Sequence, residues 1–333
     1  MEKMKAIIYN RKNYPDKLVC CEIDRPVPKD DEVLIKVKTV SLNAADYRSM
    51  KMGIIPKRKI FGADISGKIE MVGKNITHLK SGDEVLGDLA SFGFGGLAEY
   101  ATAPERALII KPAQVSFEDA ATLPMAAMTA LQALRDKATI QKGQKVLLVG
   151  SAGGVGTFAI QLAKYFGAEV TGVCSTRNVQ QSLSLGADYV IDYTKDEFTK
   201  KDKRYDIILG INGNYPLLAY RKTLTSNGIY VMVGGSLSQI FKSLVFGRLF
   251  SFGSKKMKSL TAKANKIDLE LLANLLAKGI IKPVIDRRYS LDKTAEAMNY
   301  LKQGHSPGKV VINVEPKENY EPMTQAIDLI CLS

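Results

Sequence analysis

The segment from Gly150 to Gly156 carries four glycines between an apolar run and a stretch of helix-forming residues. Glycines spaced in this way between a strand and a helix permit a tight turn, a close approach of the backbone to a pyrophosphate, and close packing of the helix on the sheet. Gly156 is then the packing glycine and Gly153 the one facing the pyrophosphate, with Ser151 in place of the first glycine. A tight turn without a ligand is the alternative. The predicted dinucleotide-binding residues are Ala152, Gly153, Gly154, Val155 and Gly156.

The residues after the next apolar stretch indicate which dinucleotide is bound. NAD sites usually place an Asp or Glu about 20 residues beyond the glycines. Here the stretch from Ser175 to Asn178 contains no carboxylate, and Asp192 lies too far along the chain to replace it. Ser175 can hydrogen-bond a 2′-phosphate, Arg177 can offer it a charge-assisted fork, and Tyr193 can cover the phosphate or the adenine edge. A surface position for Arg177 is the alternative, but the pattern favours NADPH over NADH.

Strands and helices alternate around the glycine-rich segment, with short connections between them. This alternation predicts a doubly wound parallel sheet. The predicted strands cover residues 144–150, 169–174, 189–191, 205–209 and 229–233, and the helices between them cover 158–166, 179–185 and 217–224. A helix over 120–134 is predicted before the sheet, and helices over 268–278 and 291–301 and a strand over 309–314 are predicted after it.

The first hundred residues consist of short apolar strands, such as residues 32–38, separated by glycine-marked turns. This pattern is typical of a β-rich, barrel-like domain. A length of 333 residues suits two domains. The sequence therefore predicts the α/β class, with a β-rich domain and a second domain built on a parallel sheet.

Composition narrows the possible partners and compartments. The 47 Lys and Arg exceed the 34 Asp and Glu, but the cations are scattered and no aromatic-interleaved basic motif appears, so no nucleic acid is expected. The four cysteines form no C-x-x-C pair, and only two histidines are present, which leaves little scope for metal chemistry. No signal peptide or membrane-spanning run is predicted, and the expected location is cytoplasmic.

Further motifs resemble those of the medium-chain dehydrogenase/reductase superfamily, on its quinone oxidoreductase side. The landmarks are residues 41–46, 62–67, 82–85, 96–100, 123–124 and 150–156, and the similarity extends to residues 308–311. The stretches 175–178 and 185–188 are similar to those of NADPH-using quinone and alkenal reductases. The resemblance implies a split GroES-like catalytic domain, residues 1–124 and 268–333, around a Rossmann domain, residues 125–267. It also implies a homodimer.

Zinc-dependent members of this superfamily carry a Cys, a Gly-His-Glu motif and a third Cys or His. By resemblance, the corresponding positions in this chain are occupied by Asn43, by Ala63 and Asp64, and by a residue near Met125. A three-ligand catalytic zinc site is therefore not expected. Without a Lewis acid, alcohol oxidation is disfavoured. The expected reaction moves a hydride to a quinone or to the β-carbon of an enone, while hydrogen-bond donors stabilise the charge that develops on oxygen.

The resemblance also suggests residues on the substrate side. Asn43 is a candidate amide donor, Tyr47 a candidate phenol donor or proton source, and Asp46 a residue that orients the loop, while Thr129 is expected near the nicotinamide. Simple packing is the alternative for Tyr47, and water is an alternative proton donor. The acceptor class also stays open, since an enoyl-thioester or alkenal reductase would use the same geometry. A protein that binds NADPH without turnover, as a sensor, structural protein or RNA-binding protein, is the non-enzymatic alternative.

The apolar segment 237–252 has four interpretations: a wall of the substrate pocket, a lid, a peripheral contact with a membrane, or a helix packed in the core or at a subunit contact.

Overall fold

The computed structural model describes residues 2–10, 18–213, 215–234 and 253–315. The described strands are β1 (Lys3–Tyr9), β2 (Leu18–Asp24), β3 (Glu32–Leu42), β4 (Asp64–Val72), β5 (Glu84–Asp88), β6 (Tyr100–Pro104), β7 (Leu108–Ile110), β8 (Lys145–Val149), β9 (Glu169–Cys174), β10 (Tyr189–Asp192), β11 (Tyr205–Gly210), β12 (Leu224–Met232), β13 (Lys256–Ser259), β14 (Ile285–Ser290) and β15 (Lys309–Asn313). The described α-helices are α1 (Ala44–Lys51), α2 (Phe117–Ala121), α3 (Met128–Gln132), α4 (Gly154–Tyr165), α5 (Val179–Ser184), α6 (Leu217–Thr223), α7 (Lys266–Ala277) and α8 (Thr294–Lys302).

β1 and β2 form a two-stranded sheet of their own. Strands β3 to β7 join the last two described strands in one sheet, in the order β14-β15-β3-β4-β5-β7, with β6 also paired to β3. β3 can hold both ends together because it is long: its first half pairs with β6 and its second half with β15. Every side chain of β3 is buried or half-buried, as expected of a central strand. The predicted β-rich domain is therefore present, and the end of β3 lies beside the start of β15.

The second sheet has six parallel strands in the order β10-β9-β8-β11-β12-β13. The predicted doubly wound sheet is confirmed, and its order places the crevice used for dinucleotides at the carboxyl ends of β8 and β11. The predicted strand over 169–174 matches β9, whereas β12 begins five residues before the predicted 229–233. β13 was not predicted, because its four residues contain two lysines and a single large apolar side chain.

The helix predicted over 120–134 is present apart from a turn at Thr122, but it is not α-helical throughout. Two π-helical segments, Leu123–Ala127 and Ala133–Lys137, alternate with α2 and α3. Pro124 has no backbone N–H and its ring disturbs the preceding turn, which accounts for the first widened segment. The N–H of Met125 donates instead to Oδ2 of Asp64 at 3.2 Å.

The predicted domain boundaries stay predictions; the first falls inside the π-helical segment Leu123–Ala127 and the second inside the first turn of α7. Segment 237–252 and the chain beyond residue 315 lie outside the described residues, so the interpretations of that segment are not tested. None of the helices in the described ranges is both long and apolar enough to cross a membrane.

Candidate active site

The predicted dinucleotide loop connects β8 to α4. Gly150 has a φ of +96°, and a Cβ there would lie 2.8 Å from the backbone nitrogen of Asn212. A Cβ on Gly156 would lie 2.3 Å from the carbonyl oxygen of Gly150, so Gly156 occupies the packing position. At Gly153 the nearest non-adjacent atom would be 4.0 Å away. Only glycine fits at Gly150 and Gly156, whereas the open face of Gly153 is suited to the approach of a ligand.

Ser151 replaces the first glycine because its side chain is used inside the fold. It is fully buried, and its Oγ donates to the carbonyl oxygen of Val173 at 3.3 Å and lies 3.1 Å from Oγ of Ser182. A Cβ on Gly172 would approach Oγ of Ser151 to 2.8 Å, so the bare glycine leaves room for the hydroxyl. The serine thus ties the loop to β9 and α5.

A cavity of about 670 Å³ lies over the loop. Its wall combines the carboxyl ends of β8, β9, β11 and β12 with α1, the first π-helical segment and the loop before β15. Among the predicted site residues only Gly156 does not line it, since it is buried under the loop. The predicted residues that line it are Asn43, Tyr47, Thr129, Ala152, Gly153, Gly154, Val155, Ser175, Arg177 and Tyr193.

The charges on the cavity wall are of one sign. Arg48, Arg177 and Lys309 line it, and no Asp or Glu does among the described residues. Cations alone along a concave wall raise the local concentration of anionic ligands. The cavity therefore has the charge expected of a site for phosphate groups.

At the end of β9, Arg177 reaches across the cavity and donates from Nη2 to the carbonyl oxygen of His305 at 2.6 Å. Nδ2 of Asn178 donates to Oγ of Ser175 at 3.1 Å. Asp192 lies opposite the end of β9, but its carboxylate accepts from Oγ1 of Thr176 at 2.6 Å and does not line the cavity. An acid that could accept from ribose hydroxyls is thus missing from the described wall.

A buried polar cluster lies behind another part of the cavity wall, where only its Asn43 and Lys309 line the cavity. Lys309 Nζ donates to Oδ1 of Asn43 at 2.5 Å and to the carbonyl oxygen of Leu42 at 3.2 Å, and lies 3.9 Å from Oδ2 of Asp64. Nδ2 of Asn43 donates to the same Asp64 oxygen at 2.8 Å. Oδ2 of Asp46 accepts from the backbone N–H of Asn43 at 2.8 Å, at the start of α1. We call Asn43, Asp46, Asp64 and Lys309 the Lys309 cluster.

The cluster lies in a medium that disfavours charge. Burial raises the pKa of Asp64 well above its ordinary value and lowers the pKa of Lys309. The two shifts bring the proton affinities of the carboxylate and the amine closer together. Oδ1 of Asp64 has no hydrogen-bond partner among the described residues. Asn43 bridges the two groups, because it accepts from Lys309 and donates to Asp64.

Asn43 was predicted to be an amide donor on the substrate side, but its amide group makes hydrogen bonds within the protein. Its amide hydrogens are directed to Asp64 and to the carbonyl oxygen of Ser41, and its oxygen accepts from Lys309. The amide is thus engaged within the Lys309 cluster, so Asn43 holds the ammonium in place instead of presenting a free donor. Asp46 orients this segment, as expected, since its carboxylate accepts from the backbone N–H of Asn43, the N-cap residue directly before α1.

Burial of Asp46 has a consequence for stability. Loss of hydration raises its pKa from 3.8 to about 6. The folded chain therefore binds this proton more tightly than the unfolded chain, and the free energy of unfolding falls as pH rises between these values. Since Asp46→Asn cannot ionise, the stability of the native chain relative to this variant should fall by about 3 kcal/mol from pH 3.5 to pH 7.5.

Urea unfolding of both chains across this pH range measures the effect. The same substitution at the exposed residue Asp202 controls for the general loss of a carboxylate. A stability difference that stays constant with pH, or that rises, would show that the Asp46 carboxyl is not penalised by burial.

Tyr47 and Thr129 approach the cavity from two helices. Tyr47 is half-buried on α1, with the Arg48 guanidinium 5.9 Å from its ring centroid. Thr129 lies on α3 and is 8% exposed. Both line the cavity, at positions where they could contact a nicotinamide or an acceptor.

Lys309 and Arg48 had no predicted role, and Asp64 was expected only at a lost metal-ligand position. A signal for Lys309 was present, because a lysine directly before the buried run Val310, Val311 and Ile312 must find a partner. For Arg48, the signal was its position on the same helix as Tyr47 and close to Asn43.

Comparisons with known families agree with this architecture. Residues 29–113 match a model of the alcohol dehydrogenase GroES-like domain, and residues 185–312 match one described as zinc-binding dehydrogenase. In the described part of this chain, no group of three or more His, Cys, Asp or Glu residues could hold a metal ion.

Curated relatives and solved structures are similar over most of their length. A chloroplast envelope quinone oxidoreductase homolog of Arabidopsis thaliana is 33% identical over 87% of this chain and 92% of its own. A 2-methylene-furan-3-one reductase of Solanum lycopersicum is 35% identical over 87% of this chain and 74% of its own. The structure of a quinone oxidoreductase from Coxiella burnetii superposes with a TM-score of 0.86 at 29% identity, covering 94% of this chain and all of that one.

Proposed function

Since the chain belongs to the medium-chain dehydrogenase/reductase superfamily, on its zinc-independent quinone oxidoreductase-like branch, we propose that it transfers hydride from NADPH to a quinone or another α,β-unsaturated carbonyl compound. The observation that carries the proposal is the cavity itself, in which a glycine-rich loop and a buried ammonium share a wall that has no carboxylate among its described residues. Such a wall suits an anionic cofactor and an acceptor whose oxygen becomes negative.

NADPH fits the residues present, because Gly153 leaves its backbone open and the wall is cationic. Ala152, Gly153, Gly154, Val155 and Gly156 form the pyrophosphate loop, Ser175, Arg177 and Tyr193 lie where the 2′-phosphate and adenine would bind, and Thr129 would lie near the nicotinamide. When bound, NADPH supplies the hydride. The protein positions it and excludes water.

The Lys309 cluster and Tyr47 provide the polar groups for the acceptor. The Lys309 ammonium is held by Asn43 and supplies positive charge next to the cavity, where it stabilises a developing enolate or hydroquinone oxygen. The Tyr47 phenol is the second donor and a source for the proton that completes reduction. Asn43 and Asp46 act through Lys309 and α1 and are positioning residues.

Preference for NADPH rests on Arg177. We expect Arg177→Ala to raise the KM for NADPH by about 10- to 100-fold, because a charged hydrogen bond to the 2′-phosphate is lost. The KM for NADH should change by less than about threefold, since NADH lacks that phosphate. Initial rates at saturating acceptor measure both constants.

Arg204→Ala is the matched control, as Arg204 is an exposed arginine outside the cavity wall. Equal increases in the KM for NADPH and for NADH, or a similar increase in the control, would show that Arg177 does not bind the 2′-phosphate.

The acceptor class is tested with quinones, enones, enals and enoyl thioesters, each offered with NADPH and with product analysis. Relatives named as an alkenal/one oxidoreductase and a trans-enoyl reductase make the last three classes direct competitors of quinones. Turnover of quinones or enones supports the proposal, and turnover confined to enoyl thioesters would favour the alternative reductase. NADPH binding without reduction of any acceptor would instead favour a non-catalytic protein. The homodimer and the cytoplasmic location stay predictions.

A further inference from the structure

An exposed apolar loop follows α1. Met52, Ile54 and Ile55 are 59%, 43% and 52% exposed. Nowhere else in the described ranges do three large apolar side chains with this exposure fall within four residues. Single exposed apolar residues are common on protein surfaces, but a contiguous group marks a contact with something outside the chain.

The backbone holds this loop in place. The N–H groups of Gly53 and Ile54 donate to the carbonyl oxygens of Met50 and Ser49, both at 3.0 Å. Pro56, which follows the three apolar residues, is buried. The exposure of the three apolar side chains is therefore a property of a hydrogen-bonded turn.

The charges that flank the apolar tip along the chain are of one sign. Residues 47–63 contain five cations and no Asp or Glu. Of these cations, Lys51, Arg58 and Lys59 are exposed on either side of the tip. The complementary surface must be both anionic and able to accept apolar side chains, a combination offered by the headgroup region of an anionic bilayer. A second copy of this loop would instead bring like charges together.

We propose that residues 51–59 dock this protein on the surface of an anionic lipid bilayer, with Met52, Ile54 and Ile55 entering the headgroup region and the flanking cations contacting lipid phosphates. The loop continues from a residue of the cavity wall, since the N–H of Met52 donates to the carbonyl oxygen of Arg48 at 2.9 Å. If the proposed function also holds, an acceptor dissolved in the bilayer would have a short path to the cavity; docking itself does not depend on catalysis.

Co-sedimentation of the full chain with vesicles tests the proposal without cofactor or acceptor, so its outcome is independent of activity. Vesicles of phosphatidylcholine alone are compared with vesicles containing 30% phosphatidylglycerol. The native chain should bind the anionic vesicles, and binding should weaken as salt screens the lipid charge. The triple variant Met52→Ser, Ile54→Ser, Ile55→Ser should lower the partition coefficient at least tenfold. Lys51→Gln, Arg58→Gln, Lys59→Gln should lower it about 100-fold, at about fivefold per cation.

The control is the double variant Val27→Ser, Ile267→Ser, which removes two apolar side chains that are 73% and 76% exposed elsewhere on the surface. It should bind as the native chain does. Failure of the native chain to bind anionic vesicles, or an equal loss in the control, would overturn the proposal. Self-association through this loop would also overturn the proposal. Light scattering would then show an oligomer for the native chain and a smaller species for the triple serine variant, and neither chain would bind vesicles.

Discussion

Replacing Lys309 with methionine should lower kcat by about 100- to 1000-fold, the usual effect of removing one preorganised donor from a developing oxyanion. Methionine keeps an apolar stem of similar length where Lys309 packs beside Gly154, whose Cβ would lie 2.8 Å from Cδ of the lysine. The variant therefore removes the charge and little of the packing. Initial rates with a quinone and an enone measure the loss.

The dissociation constant for NADPH, measured by nucleotide fluorescence, separates chemistry from binding in this variant. We expect it to change by less than about fivefold, because the phosphate contacts are assigned to the glycine loop and Arg177. Lys80→Met is the control, as Lys80 is exposed and distant in sequence from every cavity residue. If Lys309→Met weakened NADPH binding and left kcat unchanged, Lys309 would be a cofactor ligand and the mechanism proposed for it would be wrong.

Two alanine substitutions in the glycine loop should have different effects on stability and on NADPH binding. Gly156→Ala should lower the free energy of unfolding by about 3 kcal/mol and abolish NADPH binding, because its Cβ would overlap the Gly150 carbonyl. Gly153→Ala should fold normally, since its φ of −77° and ψ of 174° suit alanine and its Cβ meets no neighbour in the protein. It should nevertheless weaken NADPH binding by about 10- to 100-fold, because the new methyl group displaces the pyrophosphate.

Thermal unfolding and NADPH titration of both variants measure these effects. Gly153→Ala is the more informative of the two, as only a ligand lying on the loop can account for lost affinity at unchanged stability. Native affinity in Gly153→Ala would show that the pyrophosphate does not lie there, whatever happens in Gly156→Ala.

Local sequence patterns predicted the nucleotide-binding half of the fold well. An apolar run, a glycine-rich loop and a helix are adjacent in the chain, so β8, the loop and α4 follow from neighbouring residues. The predicted strand over 169–174 has the bounds of β9. The first π-helical segment within the predicted helix over 120–134 depends on a distant residue as well as on Pro124. Asp64 accepts the backbone N–H of Met125, the residue directly after this proline.

The Lys309 cluster shows why the candidate site was only partly predictable. Asn43 and Asp64 are separated by 21 residues, and Asn43 and Lys309 by 266, so no local pattern connects them. They meet because β3 pairs with both β4 and β15, which brings Ser41 opposite Asp64 and Leu42 opposite Val310. The resemblance to a known family identified Asn43 and Tyr47 as candidates. Lys309, the partner of Asn43, was found only from the pairing of these strands.

The reaction proposed for this protein is hydride transfer from NADPH to a conjugated carbonyl without a metal ion. The most direct test gives metal-depleted protein deuterated NADPH, labelled at the transferred position of the nicotinamide, together with an enone. We expect turnover that a chelator does not reduce, with one deuterium at the β-carbon of the product. Turnover that requires added Zn²⁺, or a reduced product with no deuterium at that carbon, would contradict it.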